Sequence, residues 1–191
     1  GNEIFTSRLE KLFTESSEIT GDNVSADITG LIGQYAHGNE PSHHIAYMFN
    51  HANQPWRTQY WARHIMDTQY NTTPNGLSGN EDCGQMSAWY VLSSIGLYPM
   101  NPASGEYEIG SPIFEKSTIK LPENKTFMIE AEYVSHTNFY IQSATLNGKP
   151  FTKTTLSHQD ILKGGTLHFV MGNKPNKNWG IKNKAQQLTK K

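Results

Sequence analysis

The sequence predicts an α+β chain in two parts. A helical segment covers residues 1–98 and a small antiparallel β-sandwich-like part covers 99–180, with a flexible basic tail over 181–191. One change of pattern, and the place where it falls, carry that expectation. In the first half, apolar residues recur at helical spacing; beyond Tyr98 they alternate in short runs, as strands do. The switch falls between Leu97 and Pro102, where Gly96, Pro99 and Pro102 cluster.

Taken in order, Ile4, Phe5, Leu9, Leu12 and Phe13 make an apolar stripe, so a helix is expected over residues 3–16. Residues 16–25 read as a loop around Gly21, Asp22 and Asn23. Residues 26–35 carry Gly30 and Gly33 and read as irregular or briefly buried. Ser42 to Asn53 is expected to be a helix, broken at Asn53-Gln54-Pro55. Trp56, Tyr60, Trp61, His64 and Ile65 mark one face of the next, ending near Thr68. A loop rich in Asn, Thr, Pro and Gly leads from Tyr70 to Gly79, and Cys83 to Ile95 is the last helix. The apolar faces of these four helices are broad for so small a set, as expected of a slice of a larger helical barrel. In the second half, strands are expected at 107–109, 118–121, 127–131, 139–141 and 166–170. Asn147-Gly148 signals a hairpin turn. Ser157 to Leu162 forms a helical turn ended by Gly164-Gly165.

Composition narrows the function classes. The 191 residues carry a net charge of −1, which argues against nucleic acid as the main partner. No apolar run approaches the length of a membrane span. The single cysteine, Cys83, excludes an intrachain disulfide and reads as a buried small residue.

Two stretches concentrate the chemistry. The first is His37-Gly38-Asn39-Glu40-Pro41-Ser42-His43-His44. Pro41 suits a first helical turn and Asn39 an N-cap, so Glu40 would sit at the positive end of a helix dipole with His43 and His44 one turn on. The second is Gly79-Asn80-Glu81-Asp82-Cys83-Gly84-Gln85-Met86, in which Asn80 would cap and Glu81 and Asp82 would lie in the first turn. Carboxylate and amide oxygens at that density suit a hard cation such as calcium, and paired carboxylates suit glycoside hydrolysis. The plain alternatives are an ordinary capped helix with surface histidines and an ordinary acidic helix start. A zinc hydrolase is disfavoured, because His43 and His44 are adjacent rather than four apart, while a histidine metal site in which His37 meets His43 or His44 in space stays open.

These two stretches, with Ser87-Ala88-Trp89-Tyr90 and Gly96-Leu97-Tyr98-Pro99-Met100-Asn101-Pro102, resemble the calcium-dependent exo-α-mannosidases of glycoside hydrolase family 92. Ala144 to Pro150 and Gly164 to Leu167 resemble that family's C-terminal segment. The resemblance implies a partial (α/α)6 barrel, made of helical hairpins, followed by the β part, the whole being the C-terminal portion of a longer, inverting enzyme. It implies Asp82 as catalytic base with Glu81 in support. It places Asn39 and Glu40 at the calcium and mannose site, with Asp82 a further candidate metal ligand and His37, His43, His44 and Gln85 lining the sugar. It implies mannose-containing glycans as substrates, with α-1,2 or related linkages as in N-glycans, and a periplasmic or secreted location. The general acid is expected upstream of residue 1, in a portion that also includes the family's N-terminal domain, so the chain alone is expected to be inactive. A non-catalytic, calcium-assisted carbohydrate-binding module is the competing expectation, and a purely structural fragment the third.

Overall fold

A computed structural model describes residues 1–22, 24–25 and 28–181. The basic tail expected over 181–191 lies, apart from Ile181, outside the described residues. The chain is a mixed helix and sheet structure. Helix α1 (Asn2–Thr14) leads into a two-stranded hairpin, β1 (Leu31–Ile32) and β2 (Tyr35–Ala36). Helices α2 (Pro55–Gln69) and α3 (Gln85–Ser94) follow. Beyond them come β3 (Leu97–Tyr98), β4 (Glu106–Ile109), β5 (Lys116–Lys120), β6 (Thr126–Glu132), β7 (Tyr140–Leu146), β8 (Lys149–Pro150), β9 (Thr155–Ser157), α4 (His158–Leu162) and β10 (Gly165–Gly172).

The helix expected over Ser42–Asn53 is instead two 3-10 segments, Glu40–Ser42 and Ile45–Ala52. The cause is competition for carbonyls. An α-helix would give the His43 carbonyl to the Tyr47 amide, but the Trp89 indole donates to that carbonyl at 3.0 Å, and Tyr47 N bonds His44 O instead. Asn53 in the left-handed region ends the segment. The last helix also starts later than its pattern suggests. Asp82, Cys83 and Gly84 all have positive φ, at 46°, 56° and 95°, so helical backbone begins only at Gln85. Cys83, expected to be buried, is exposed on this turn.

The β part forms two sheets. One runs β5-β6-β10-β7-β8 and the other β3-β4-β9. Their buried residues share one apolar cluster containing Leu97, Ile109 and Leu156 from the smaller sheet and Phe127, Ile129, Ile141, Leu167 and Phe169 from the larger. The sheet expected to be antiparallel has one parallel pair at its centre, β6 with β10. The long crossover between them, which includes β7, β8, β9 and α4, makes that pairing possible. Asn147 and Gly148 both have positive φ and form the expected tight turn between β7 and β8. Ser157 caps α4, accepting from the Asp160 amide.

The helical part has its own core of Leu9, Phe13, Tyr35, Tyr47, Phe49, Trp61, Ile65 and Trp89. Polar contacts join the two parts. Asn50 Nδ2 donates to Glu108 Oε2 (2.8 Å) and to the Ile109 carbonyl (3.1 Å), and the Ile141 amide donates to Gln59 Oε1 at 3.0 Å. Glu108, Asn50 and Gln59 are all buried, so each bond satisfies a group that water cannot reach.

Candidate active site

The two motifs meet at a cleft of about 300 Å³ lined by Thr29, Gly38, Asn39, Glu40, Gly79, Asn80 and Asp82. Two glycines make the meeting possible. A Cβ on Gly79 would stand 2.4 Å from the Gly38 carbonyl oxygen, and one on Gly38 would stand 2.8 Å from the Ser78 carbonyl oxygen. Only bare backbone allows the loops so close. Thr29 reaches the cleft because Gly38 N bonds its carbonyl at 3.1 Å, extending the β1–β2 hairpin.

Asn39 stands at the start of the first 3-10 turn but makes no side-chain cap bond, which leaves its amide available to the cleft. Glu40 opens that turn, and three residues of 3-10 helix supply little of the dipole that the sequence pattern implies. Glu40 Oε1 is buried with no hydrogen-bond partner among the described residues. A buried carboxylate oxygen left so is costly unless a donor or a cation meets it. Asp82 is exposed at the cleft, and its carboxylate meets no donor among the described residues. Its left-handed backbone, shared with Cys83, costs about 1–3 kcal/mol per residue, a strain that collects at functional sites.

Glu81 points elsewhere. Its Oε1 accepts from the Ser87 amide at 3.1 Å and its Oε2 from the Ser87 hydroxyl at 3.0 Å, so it is bound to the first turn of α3.

His37 and His43 stand behind the cleft wall, 0% and 1% exposed. Tyr70 donates to the Met86 carbonyl (3.1 Å), which fixes every proton upstream of it. His37 Nε2–H therefore donates to Tyr70 Oη at 2.7 Å, and Tyr35 donates to His37 Nδ1 at 2.9 Å. His43 donates from Nε2 to the His37 carbonyl (3.0 Å) and accepts at Nδ1 from Gln85 Nε2 (3.1 Å). Both rings are thus held neutral. Burial, helped by the neighbouring His43, lowers the His37 pKa to about 3, and burial lowers that of His43. Gln85 thus ties the second motif to the first, and His44 faces solvent. Of the residues expected at the site, Asn39, Glu40 and Asp82 line the cleft, while His37, His43, His44, Gln85 and Glu81 do not. Thr29 lines it without any sequence signal. Asn80 also lines it, its place signalled only by its position in the second motif.

The donor set fits a hard cation. The cleft offers carboxylate, amide and hydroxyl oxygens, Glu40 among its lining residues having a buried Oε1 with no partner among the described residues, while the ring nitrogens of His37 and His43 are already bonded. Among the described residues no three His, Cys, Asp or Glu side chains cluster to hold a metal, so a cation here would need amide or backbone carbonyls as well as Glu40 and Asp82.

Residues 1–173 match the model of the glycosyl hydrolase family 92 catalytic domain. A family 92 α-mannosidase from Bacteroides thetaiotaomicron, solved in complex with mannoimidazole, superposes with a TM-score of 0.88 at 45% identity, over 95% of this chain and 24% of that one. A family 92 inverting mannosidase from the same organism superposes at 0.81 with 39% identity, over 95% and 26%. A protein from Arthroderma benhamiae, named an uncharacterized secreted glycosidase, is 37% identical over 146 residues, which are 75% of this chain and 19% of that one. The chain therefore spans about a quarter of the solved relatives' length and about a fifth of the curated one's.

Proposed function

The chain belongs to glycosyl hydrolase family 92, and from that premise we propose that it is the C-terminal part of an inverting, calcium-dependent exo-α-mannosidase. The observation that carries this is the convergence of Glu40 and Asp82, from two separate motifs, on one oxygen-lined cleft. The names of the solved relatives, an α-mannosidase and an inverting mannosidase, support the reaction and its stereochemistry. In this reading the helices are a slice of an (α/α)6 barrel completed by chain from the missing N-terminal portion. The chain's coverage of only about a quarter of the solved relatives supports that.

Asp82 acts as the base. Its carboxylate is open to the cleft and free of competing donors among the described residues, so it accepts a proton from the attacking water. The water's oxygen then forms the new bond to the anomeric carbon from the face opposite the departing oxygen. The general acid that protonates that oxygen comes from outside this chain. Asn39 and Asn80 offer amide donors and acceptors to the sugar hydroxyls without taking the base's proton. Glu40 and Asn39, with Asp82 as the further candidate, would hold calcium. Bound there, calcium would supply positive charge that binds sugar hydroxyls and favours the flattened, oxocarbenium-like ring. Mannose-terminated glycans, with α-1,2 or related linkages, are the proposed substrates. The word "secreted" in the curated relative's name supports a periplasmic or extracellular location, and no helix among the described residues is long and apolar enough to cross a membrane.

The test is hydrolysis of aryl and disaccharide α-mannosides by the longer protein with calcium, followed by NMR of the first-formed anomer. β-Mannose is expected. No hydrolysis, or α-mannose formed first, contradicts the proposal. The isolated chain, lacking the acid, is expected to stay far below the ordinary glycosidase turnover of roughly 1–10³ s⁻¹.

A further inference from the structure

Two consecutive non-glycine residues, Asp82 and Cys83, hold left-handed backbone at 46° and 56°, and something must hold them there. Cys83 supplies nothing, since its side chain is exposed. The residues around the turn point to Glu81. Its carbonyl accepts from both the Gly84 amide (3.2 Å) and the Met86 amide (3.3 Å). Its carboxylate accepts from the amide and hydroxyl of Ser87. Main chain and side chain of one residue therefore close the turn from both ends. Gly84 takes the widest φ, 95°, in open space where a Cβ would meet nothing, so packing does not enforce the turn there. The Ser87 amide is one of the unpaired donors of the first turn of α3, and Gly84, at the cap position, has no side chain to meet it. Glu81 does the capping from further upstream.

We propose that Glu81 is a positioning residue: its carboxylate, locked on Ser87, fixes the left-handed turn that presents the Asp82 carboxylate to the cleft. It touches neither sugar nor water. The proposal rests on the reading of Asp82 as the base, and it assigns the two adjacent acids separate tasks. Glutamine can replace the tether, since its carbonyl accepts from the Ser87 amide and its NH₂ donates to the Ser87 oxygen once that hydroxyl rotates. Alanine cannot. A misplaced base costs rate steeply, about 100-fold for a displacement near 1 Å.

The experiment compares Glu81→Gln and Glu81→Ala in two assays. In the longer protein, kcat and its pH profile are measured on an aryl α-mannoside with calcium. In this chain, amide hydrogen exchange is followed across residues 85–88. Glu81→Gln is expected to keep kcat within about threefold, with the acidic limb of the profile unmoved. Glu81→Ala is expected to lose about 100-fold in kcat, and its Ser87 amide to exchange several-fold faster. A glutamine variant as slow as the alanine one, with the acidic limb lost, would overturn the proposal and make Glu81 a base. An alanine variant with unchanged exchange would overturn it as well. If the unmutated longer protein hydrolyses no α-mannoside, the functional reading fails by itself. The exchange rates then still uphold or reject the tether.

Discussion

The sheet core and the helical core solve the same burial problem with different chemistry. In the five-stranded sheet, the residues buried at the centre are apolar, from Phe127 and Ile129 on β6 to Leu167 and Phe169 on β10. In the helical part, equally buried positions are taken by His37, His43, Ser93 and Asn50, bonded to tyrosines, carbonyls and carboxylates. The first arrangement is held by area, while the second adds hydrogen-bond direction to an apolar core. The cleft grows out of the second, because placing Asn39, Glu40 and Asp82 on two touching loops requires fixed backbone rather than packed side chains.

The largest effect that tests this contrast is in the sheet. Phe169→Ala removes a fully buried ring and is expected to cost about 3–5 kcal/mol in urea unfolding. The buried bonds from Asn50 to Glu108 and from Ile141 to Gln59 tie the parts together, so one transition is expected. Two transitions, with the helical tryptophans unfolding independently, would break the contrast into two autonomous units.

The helical core should instead respond to pH. A His37 held neutral at a pKa of about 3 contributes stability that is fully present above its ordinary value near 6.5 and is lost as pH falls toward 3. The unfolded chain binds the extra proton in that window, so its share of the slope is at most about 1.4 kcal/mol per pH unit. His43, shifted the same way, adds to it. Urea midpoints for the chain and for His37→Gln between pH 7 and pH 4 check this. The variant should be less stable at pH 7 and flatter below it; parallel lines would show that His37 is not the group being forced to charge.

The smallest effect sits on the sheet surface. Lys116 pairs with Glu130 at 3.1 Å, but both are solvent-exposed enough that Lys116→Ala should shift stability by no more than about 0.5–1 kcal/mol, and less in high salt. A loss of several kcal/mol would mean that charge, not area, holds the sheet.

The same contrast explains what could be read from the sequence. Strands of the sheet announce themselves, since β6 alternates exposed and buried from Thr126 to Glu132 and the Asn147-Gly148 turn has only one economical geometry. The parallel β6–β10 pairing does not, because alternation reports which face is buried and not which strand is the neighbour. Near the cleft, period gave way to hydrogen bonding. Ile45 to Ala52 has helical spacing, yet the Trp89 indole, distant in sequence, claims the carbonyl that an α-turn needs. The acids of the second motif look like a helix start, but a run of positive φ from Asp82 to Gly84 delays the helix and separates Asp82 from Glu81 in orientation. The histidines, conspicuous in sequence, stand behind the wall, while Thr29 reaches the cleft through a backbone bond that no side-chain pattern records.

The measurement that bears most directly on the account is kcat against calcium concentration for Asp82→Asn beside Glu40→Gln, in the longer protein. Asp82→Asn keeps the shape of the side chain and removes its basicity. It should lower kcat by about 10²–10⁴-fold at every calcium level, with the melting temperature little changed, because the carboxylate is exposed and has no bonded donor among the described residues. Glu40→Gln should instead raise the calcium concentration needed and recover rate as calcium is added. Near-normal kcat in Asp82→Asn would contradict its role as base, and rescue of that variant by calcium would reassign Asp82 to the metal.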